Sequence, residues 1–147
     1  MKYLGLIILL LTFSGCKTYS DDELSSFDKQ IETYLKKNNI ECQRSSSGLY
    51  YNIINEGEGR TIQFKDVVSF KYTGKLLDGT TFDKKTKPIE YKVEQLIGAW
   101  KEIMLELKEG GEAYLISPPQ LGYGTHDLDD IPPNSILIFE IEVIEVK

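Results

Sequence analysis

Residues that carry acid–base or metal chemistry are scarce in this chain. Its 147 residues include one histidine, His126, and two cysteines, Cys16 and Cys42. No cluster has the ligand spacing of a metal site, and His126 has no partner motif for a catalytic triad. We therefore expect no metal and no other cofactor, and we interpret His126 as a solvated loop residue. If Cys16 is modified as described below, Cys42 remains as a lone thiol and no intramolecular disulfide can form.

The chain also has no excess of positive charge. The chain has 17 basic and 23 acidic residues, which gives a formal net charge of −6. A nucleic-acid-binding protein needs a basic stripe that displaces counterions from the phosphates, so nucleic acid is excluded as a partner. Hydrophobic residues make up 41% and charged residues 27%, a globular composition, and the length favours one domain with appendages.

Long apolar runs are absent except at the N-terminus. Lys2 is followed by "YLGLIILLLTF" (3–13) and "SGC" (14–16). This run is short for a transmembrane helix, and it is typical of a secretory signal peptide over residues 1–15. "FSGC" resembles the lipobox of bacterial lipoproteins, which implies a lipid on Cys16 and a membrane-anchored protein outside the cytoplasm, at the periplasmic face or cell surface. The alternative is an ordinary secretory signal in which Cys16 is coincidental.

Residues 16–47 form a polar linker with one short helix. The acidic stretch Ser20–Glu23 is interpreted as a helix start, where carboxylates are stabilised by the helix dipole. The same stretch resembles the acidic tag that directs some Bacteroidetes lipoproteins to the cell surface, and the two interpretations are compatible.

The helix itself is indicated over residues 22–37 by apolar residues at three- and four-residue spacing: Leu24, Phe27, Ile31 and Leu35. A helix this short is marginal alone, so it must pack on the domain, pack on a twin, or stay marginal. Because the arm is short, we expect a monomer. The stretch "QRSSSG" (43–48) is expected to be a flexible joint.

From Leu49 onward the pattern is that of β-strands. Strands are indicated at 49–54, 67–76, 89–93, 112–117 and 135–147, and Asp78-Gly79 is typical of a two-residue hairpin turn. A single helix is predicted over 94–107, ended by Gly110-Gly111. These elements predict an α+β domain over 48–147, in which a curved antiparallel sheet wraps around one short α-helix.

Three strings occur in a specific order: "VVSFKYTGKLLDGTTFD" (67–83), "QLIGAWKEIMLELKEGGEAYLISPPQLGYG" (95–124) and "IPPNSILIFEIEVIEV" (131–146). From about Gly48 to the C-terminus, the chain resembles the FKBP-type peptidyl-prolyl cis–trans isomerases. The resemblance implies the same curved sheet around one helix, and catalysis of cis–trans exchange at X–Pro bonds of exported polypeptides. It also allows membership of the gliding-associated isomerases of Bacteroidetes, and inhibition by a macrolide such as rapamycin.

The resemblance further implies a set of site residues. In it, the Ile97 backbone N–H bonds a substrate carbonyl, Trp100 forms the floor under the proline ring, and the Tyr123 hydroxyl donates to the substrate. Two residues depart from the family pattern, since Ile89 stands where an aromatic is common and Asp130 precedes Ile131. The implied catalytic residues are Tyr72, Phe82, Asp83 and Tyr123, and the implied substrate-binding residues are Ile89, Leu96, Ile97, Trp100, Ile131 and Phe139.

The scarcity of nucleophiles and bases agrees with this chemistry. Rotation about an X–Pro bond faces a barrier of about 18–20 kcal/mol that arises from amide resonance, and lowering it needs no covalent step. Asp83 is interpreted either as an electrostatic and orienting group beside the twisting bond or as a carboxylate that caps a turn. The rival function is a proline-directed binding or chaperone module without turnover.

Overall fold

The computed structural model describes residues 18–147. The expected signal peptide (1–15) and lipidation at Cys16 lie outside the described residues. Within the described part, no helix is both long enough and apolar enough to span a bilayer.

The domain is built on one six-stranded antiparallel sheet with the order β1-β2-β5-β6-β3-β4. Two α-helices, α1 (Asp21–Asn38) and α2 (Gly98–Met104), accompany it. The α+β prediction is therefore confirmed. The strands are β1 (Gln43–Arg44), β2 (Tyr50–Asn55), β3 (Val67–Leu76), β4 (Thr81–Lys92), β5 (Glu112–Ser117) and β6 (Leu137–Val146).

The inner face of the sheet wraps around α2 and buries the main core. Alternate residues of a strand point to one face, so the β6 residues Leu137, Phe139, Ile141 and Val143 all face inward and are at most 3% exposed. From α2, the side chains of Ala99, Trp100, Ile103 and Met104 are buried against them. This arrangement agrees with the predicted curved sheet around one short helix.

The opposite face of the sheet is partly covered by α1. Ile31 is fully buried and Leu35 nearly so, and they form a second core with Tyr50, Ile116 and Ile138 of the sheet. Of the three arrangements expected for this helix, the structure shows packing of α1 on its own domain. The sheet is thus sandwiched between α2 and α1.

The start of α1 is a capping box formed by Ser20 and Glu23. The Ser20 hydroxyl accepts from the Glu23 N–H at 3.2 Å, and the Glu23 carboxylate accepts from the Ser20 N–H at 2.8 Å. Both bonds satisfy donors that the first helical turn leaves free. The interpretation of this stretch as a helix start is therefore confirmed.

The segment 43–48, expected to be a flexible joint, is held in place instead. Gln43 and Arg44 pair with Tyr51 and Tyr50 as strand β1, and Arg44 forms a 2.7 Å ion pair with Asp28 of α1. The polar composition suggested mobility, whereas the backbone hydrogen bonds to β2 fix this stretch to the sheet edge.

The predicted helix over 94–107 is longer than the observed α2. Residues 93–95 form a separate 3₁₀ turn, and Ile97 is extended (φ −63°, ψ 159°), so helical backbone begins only at Gly98. Apolar residues beyond Met104 had suggested continuation, but Leu107 instead accepts a 3.0 Å bond from the Ile62 N–H. Gly111 does not end the helix; its carbonyl accepts from the Val143 N–H at 2.8 Å.

The hairpin turn contains Asp78 and Gly79, as the sequence predicted, but its loop is longer than the two residues expected. The Leu76 N–H bonds the Thr80 carbonyl at 2.8 Å, which encloses residues 77–79, and Gly79 takes φ +92°. A positive φ of this size favours glycine. Beyond the turn, β4 starts at Thr81 rather than at Ile89 as expected, and its register with β3 shifts between Lys85 and Ile89, where an irregularity interrupts the pairing.

Candidate active site

An aromatic cluster lies where β3, β6 and α2 meet. The Trp100 ring packs edge-on against Tyr72 and Phe139, with ring centroids 4.6 and 5.0 Å apart, and against Phe70 at 5.4 Å. Trp100 is only 7% exposed. Such edge-to-face pairs add to the stability that burial already supplies. The floor expected under a proline ring is therefore a rigid part of the core.

Phe82 reaches this cluster because Gly74 has no side chain. The Phe82 ring lies 5.8 Å from that of Phe139. A Cβ at Gly74 would stand 2.6 Å from the Cζ atom of Phe82, which is closer than such atoms approach in real structures. The glycine thus allows two aromatic walls to meet at one end of the cluster.

Asp83 is held between β3 and β4 by three donors. One carboxylate oxygen accepts from the Tyr72 hydroxyl, and the other accepts from the Lys84 N–H at 2.7 Å and the Lys85 ammonium at 2.9 Å. Burial raises the pKa of Asp83, but these bonds outweigh it and the net pKa lies below its ordinary value. Its contribution to stability is therefore present above about pH 4 and is lost as the pH falls further.

The turn-capping role considered for Asp83 belongs to a different carboxylate. Asp78 accepts from the Thr80 N–H at 2.8 Å within the hairpin loop. Asp83 lies in β4 and pairs through the backbone with Gly74 of β3. Its carboxylate accepts hydrogen bonds from Tyr72, Lys84 and Lys85, none of which lies in the hairpin loop.

The remaining wall comes from the loop between β5 and β6. Leu128 and Ile131 exchange two backbone hydrogen bonds of 3.1 Å, which places Asp129 and Asp130 at the tip of a tight turn. This loop encloses a cleft of about 350 Å³ against the β3–β4 hairpin. The lining residues are Tyr72, Phe82, Asp83, Tyr123, Leu128, Asp129, Asp130 and Ile131.

Five of the ten expected site residues line this cleft: Tyr72, Phe82, Asp83, Tyr123 and Ile131. The other five do not line it and belong to the main core or pack against it. Leu96, Trp100 and Phe139 are buried there, whereas Ile89 and Ile97 are partly buried against it. Leu128 and Asp129 were missed, because nothing in a loop sequence indicates which of its residues turn towards a cleft.

The hydroxyls at the cleft are neutral donors at physiological pH. Burial first, and then the neighbouring Asp83 carboxylate, raise the pKa of Tyr72 and of Tyr123 above their ordinary values. Together with the lowered pKa of Asp83, this leaves these three groups in fixed protonation states around neutrality. The cleft can bind and orient a polar group, but these residues are not poised to exchange protons.

His126 lies on the outer surface of the same loop. Its side chain is exposed, and Nδ1 lies 2.7 Å from the Tyr123 carbonyl oxygen, which only accepts, so Nδ1 carries the proton. Among residues 18–147, no group of three or more histidine, cysteine or acidic side chains is placed to hold a metal ion.

The sequence is similar to those of known proteins of one family. The family model described as "FKBP-type peptidyl-prolyl cis-trans isomerase" matches residues 58–144. A protein of Buchnera aphidicola named FKBP-type peptidyl-prolyl cis-trans isomerase FkpA is 44% identical, over 99% of this chain and 69% of its own length. The FkpA protein of Escherichia coli is 34% identical, over 79% of this chain but only 43% of its own length.

Solved structures resemble the fold over most of the chain. The crystal structure of FkpA from Escherichia coli has a TM-score of 0.74 and 33% sequence identity, covering 86% of this chain and 61% of that one. A peptidyl-prolyl cis-trans isomerase of Pseudomonas syringae has a TM-score of 0.73 and 25% identity, covering 90% of this chain and 99% of that one.

Proposed function

Because this chain belongs to the family of FKBP-type peptidyl-prolyl cis-trans isomerases, we propose that its cleft accelerates rotation about X–Pro bonds in exported polypeptides. The observation that carries the proposal is the aromatic cluster of Tyr72, Phe82, Trp100 and Phe139, with a single carboxylate, Asp83, fixed at its edge. This arrangement has apolar walls for a proline ring and few polar groups: Tyr72 and Asp83 are hydrogen-bonded to each other, whereas the buried Trp100 Nε1–H has no hydrogen-bond partner.

The proposed mechanism relies on polarity and positioning. The planar imide is the more polar state, because resonance places negative charge on oxygen and positive character on nitrogen. The aromatic walls of the cleft therefore disfavour the planar ground state relative to the twisted transition state, which has lost that resonance. The cleft walls also hold the flanking peptide while the bond turns. No bond forms or breaks, which agrees with the fixed protonation states of Asp83, Tyr72 and Tyr123.

Individual roles follow for the polar groups. We assign to the Ile97 backbone N–H, at the N-terminal end of α2, a hydrogen bond to a substrate carbonyl. The Tyr123 hydroxyl, kept protonated by its raised pKa, is a second donor to the substrate. Asp83 orients Tyr72 and supplies a negative field beside the twisting bond. Asp129 and Asp130 on the rim favour cationic over anionic residues next to the proline.

The test is cis–trans exchange on X–Pro peptides with the chain from residue 18 to residue 147, which retains α1. We expect acceleration by this protein, and a loss of about tenfold in kcat/KM for Asp83→Asn, which removes the charge but keeps the shape. Glu41→Gln, at an exposed site away from the cleft, is the matched control. A macrolide such as rapamycin is expected to compete for the cleft.

The rival function, a proline-binding or chaperone module without turnover, gives a different result. It would leave the exchange rate unchanged while peptides still bind. Trp100 is the sole tryptophan, and its ring packs edge-on against Tyr72, which lines the cleft, so its fluorescence is expected to report binding independently of turnover. Binding without acceleration would therefore replace the isomerase proposal by the rival.

We also propose that Cys16 carries a lipid after removal of residues 1–15, which anchors the protein to a membrane outside the cytoplasm. The lipobox-like "FSGC" supports this, and Tyr19 is already buried against the domain. Cys16 lies three positions before Tyr19, so an anchor at Cys16 would lie within about 11 Å of Tyr19. A role for Ser20–Glu23 as a surface tag, and for the protein among gliding-associated isomerases, stays a prediction.

The anchor is tested by fractionation of cells expressing the full chain. We expect Cys16→Ser to move the protein from the membrane to the soluble fraction, and Cys42→Ser to leave it on the membrane. A Cys16→Ser variant that stays membrane-bound would contradict lipidation. We further propose that the protein is monomeric, because the apolar face of α1 is buried within its own chain.

A further inference from the structure

A second groove lies beside the cleft, on the other side of the β5–β6 loop. It has a volume of about 570 Å³ and is bordered by the N-terminal segment at Thr18 and Tyr19 and by the loop from Pro119 to Leu128. Tyr123 and Leu128 line both the groove and the cleft. The two depressions are therefore adjacent, and Leu128, which is 41% exposed, stands between them.

The chemistry of the groove differs from that of the cleft. Its walls are formed by Tyr19, Pro119, Tyr123 and Leu128, and its lining includes His126 but no Asp, Glu, Lys or Arg. The cleft, in contrast, is rimmed by Asp83, Asp129 and Asp130. A concave surface with apolar walls and no Asp, Glu, Lys or Arg side chain favours an apolar ligand over a charged one.

The outer wall of the groove is fixed before any ligand arrives. Tyr19 is 5% exposed, its hydroxyl donates to the Asn134 side chain at 2.8 Å, and its ring packs edge-on against Phe27 at 5.3 Å. The Asn134 N–H in turn donates to the Gly124 carbonyl at 2.8 Å. Because Tyr19 and the loop are tied to each other, a ligand in the groove need not order its wall.

We propose that this groove binds a large apolar side chain of the same polypeptide whose proline occupies the cleft. The inference rests on the proposed isomerase function and extends it to a substrate class: unfolded segments in which an apolar residue lies a few positions from the proline. An extended chain advances about 3.3–3.6 Å per residue, so two to five residues span about 7–18 Å, enough to pass from one depression into its neighbour.

The experiment compares three kinds of substrate with the chain from residue 18 to residue 147. One is the short peptide Ala-Ala-Pro-Phe. The others are ten-residue peptides with leucine placed two to five positions to either side of one proline, and the same peptides with serine in place of leucine. We expect kcat/KM for the best leucine peptide to exceed that for its serine partner by about tenfold, mainly through KM.

A variant within the groove separates the proposal from a general effect of hydrophobicity. Thr125 lines the groove and not the cleft, and its side chain is exposed. Thr125→Glu places a charge in the groove and is expected to reduce the leucine preference to within about twofold, while the rate on Ala-Ala-Pro-Phe is unchanged. Thr61→Glu, at an exposed site outside both depressions, is expected to keep the full preference.

Two results would overturn the proposal: equal kcat/KM for all leucine and serine pairs, or a Thr125→Glu variant that retains the tenfold preference. Failure of the isomerase function is a separate outcome, recognised by the absence of acceleration on every peptide, Ala-Ala-Pro-Phe included. In that case the groove proposal is tested by binding, with dissociation constants measured from Trp100 fluorescence. The leucine peptide is then expected to bind about tenfold more tightly than its serine partner, and equal dissociation constants would overturn the proposal.

Discussion

Gly74→Ala is expected to lower kcat/KM for X–Pro isomerisation by about tenfold or more, which corresponds to about 1.4 kcal/mol of transition-state stabilisation. The added Cβ would lie 2.6 Å from Cζ and 2.7 Å from Cε2 of Phe82, and 3.1 Å from Cε1 of Phe139. Phe139 is buried and cannot move, whereas Phe82 is half-buried and can turn outward. The substitution would therefore remove one wall of the proposed proline site.

Gly74→Ala is expected to lower the free energy of unfolding, whereas replacing glycine by alanine within a strand usually raises it. Alanine is normally favoured over glycine within a strand by about 0.5–1 kcal/mol. Overpacking typically costs about 1–3 kcal/mol, so we expect a small net loss in the free energy of unfolding. Kinetic constants and denaturant unfolding on the same preparation give both quantities.

Thr73→Val is the matched control, because it changes the neighbouring β3 residue, which faces the other side of the sheet, with nearly the same volume. We expect it to keep full activity. A Gly74→Ala protein with unchanged kcat/KM would show that Phe82 is not part of the working site.

Ile31→Ala is expected to lower the free energy of unfolding by about 2–5 kcal/mol, a large share of the 5–15 kcal/mol of a typical domain. Ile31 is fully buried between α1 and the sheet, where its neighbours include Tyr50, Ile116 and Ile138. Truncation removes buried methyl groups and leaves a cavity that the rigid sheet cannot fill. Urea unfolding followed by circular dichroism measures the loss.

The effect should be confined to stability. Ile31 lies on the face of the sheet opposite α2 and the cleft, so the folded variant is expected to keep kcat/KM for short X–Pro peptides at temperatures where it remains folded. Thr33→Ala, at an exposed position on the same helix, is the matched control and should unfold as the unmodified protein does. A loss below about 1 kcal/mol for Ile31→Ala would mean that α1 does not contribute to the domain core in solution.

Several elements were predictable because their causes are local. The alternation in β6 predicted which of its side chains enter the core, and Asp78-Gly79 marked the hairpin turn because a positive φ favours glycine. The limits of α2 were not predictable from periodicity, since Leu107 belongs to the apolar face of a helix but leaves it to bond with Ile62. The order of the motifs also indicated ten site residues, of which five line the cleft and five belong to the main core or pack against it.

The sequence by itself determined the fold class, the family and five residues of the cleft, because these depend on patterns within single segments and on motif order. The tertiary structure alone decided that α1 covers the sheet, that Gly74 makes room for Phe82, and that Tyr19 builds a groove with the β5–β6 loop. The physical reason is distance along the chain: Tyr19 and Asn134 are 115 positions apart, and only the folded sheet brings their side chains within hydrogen-bonding distance.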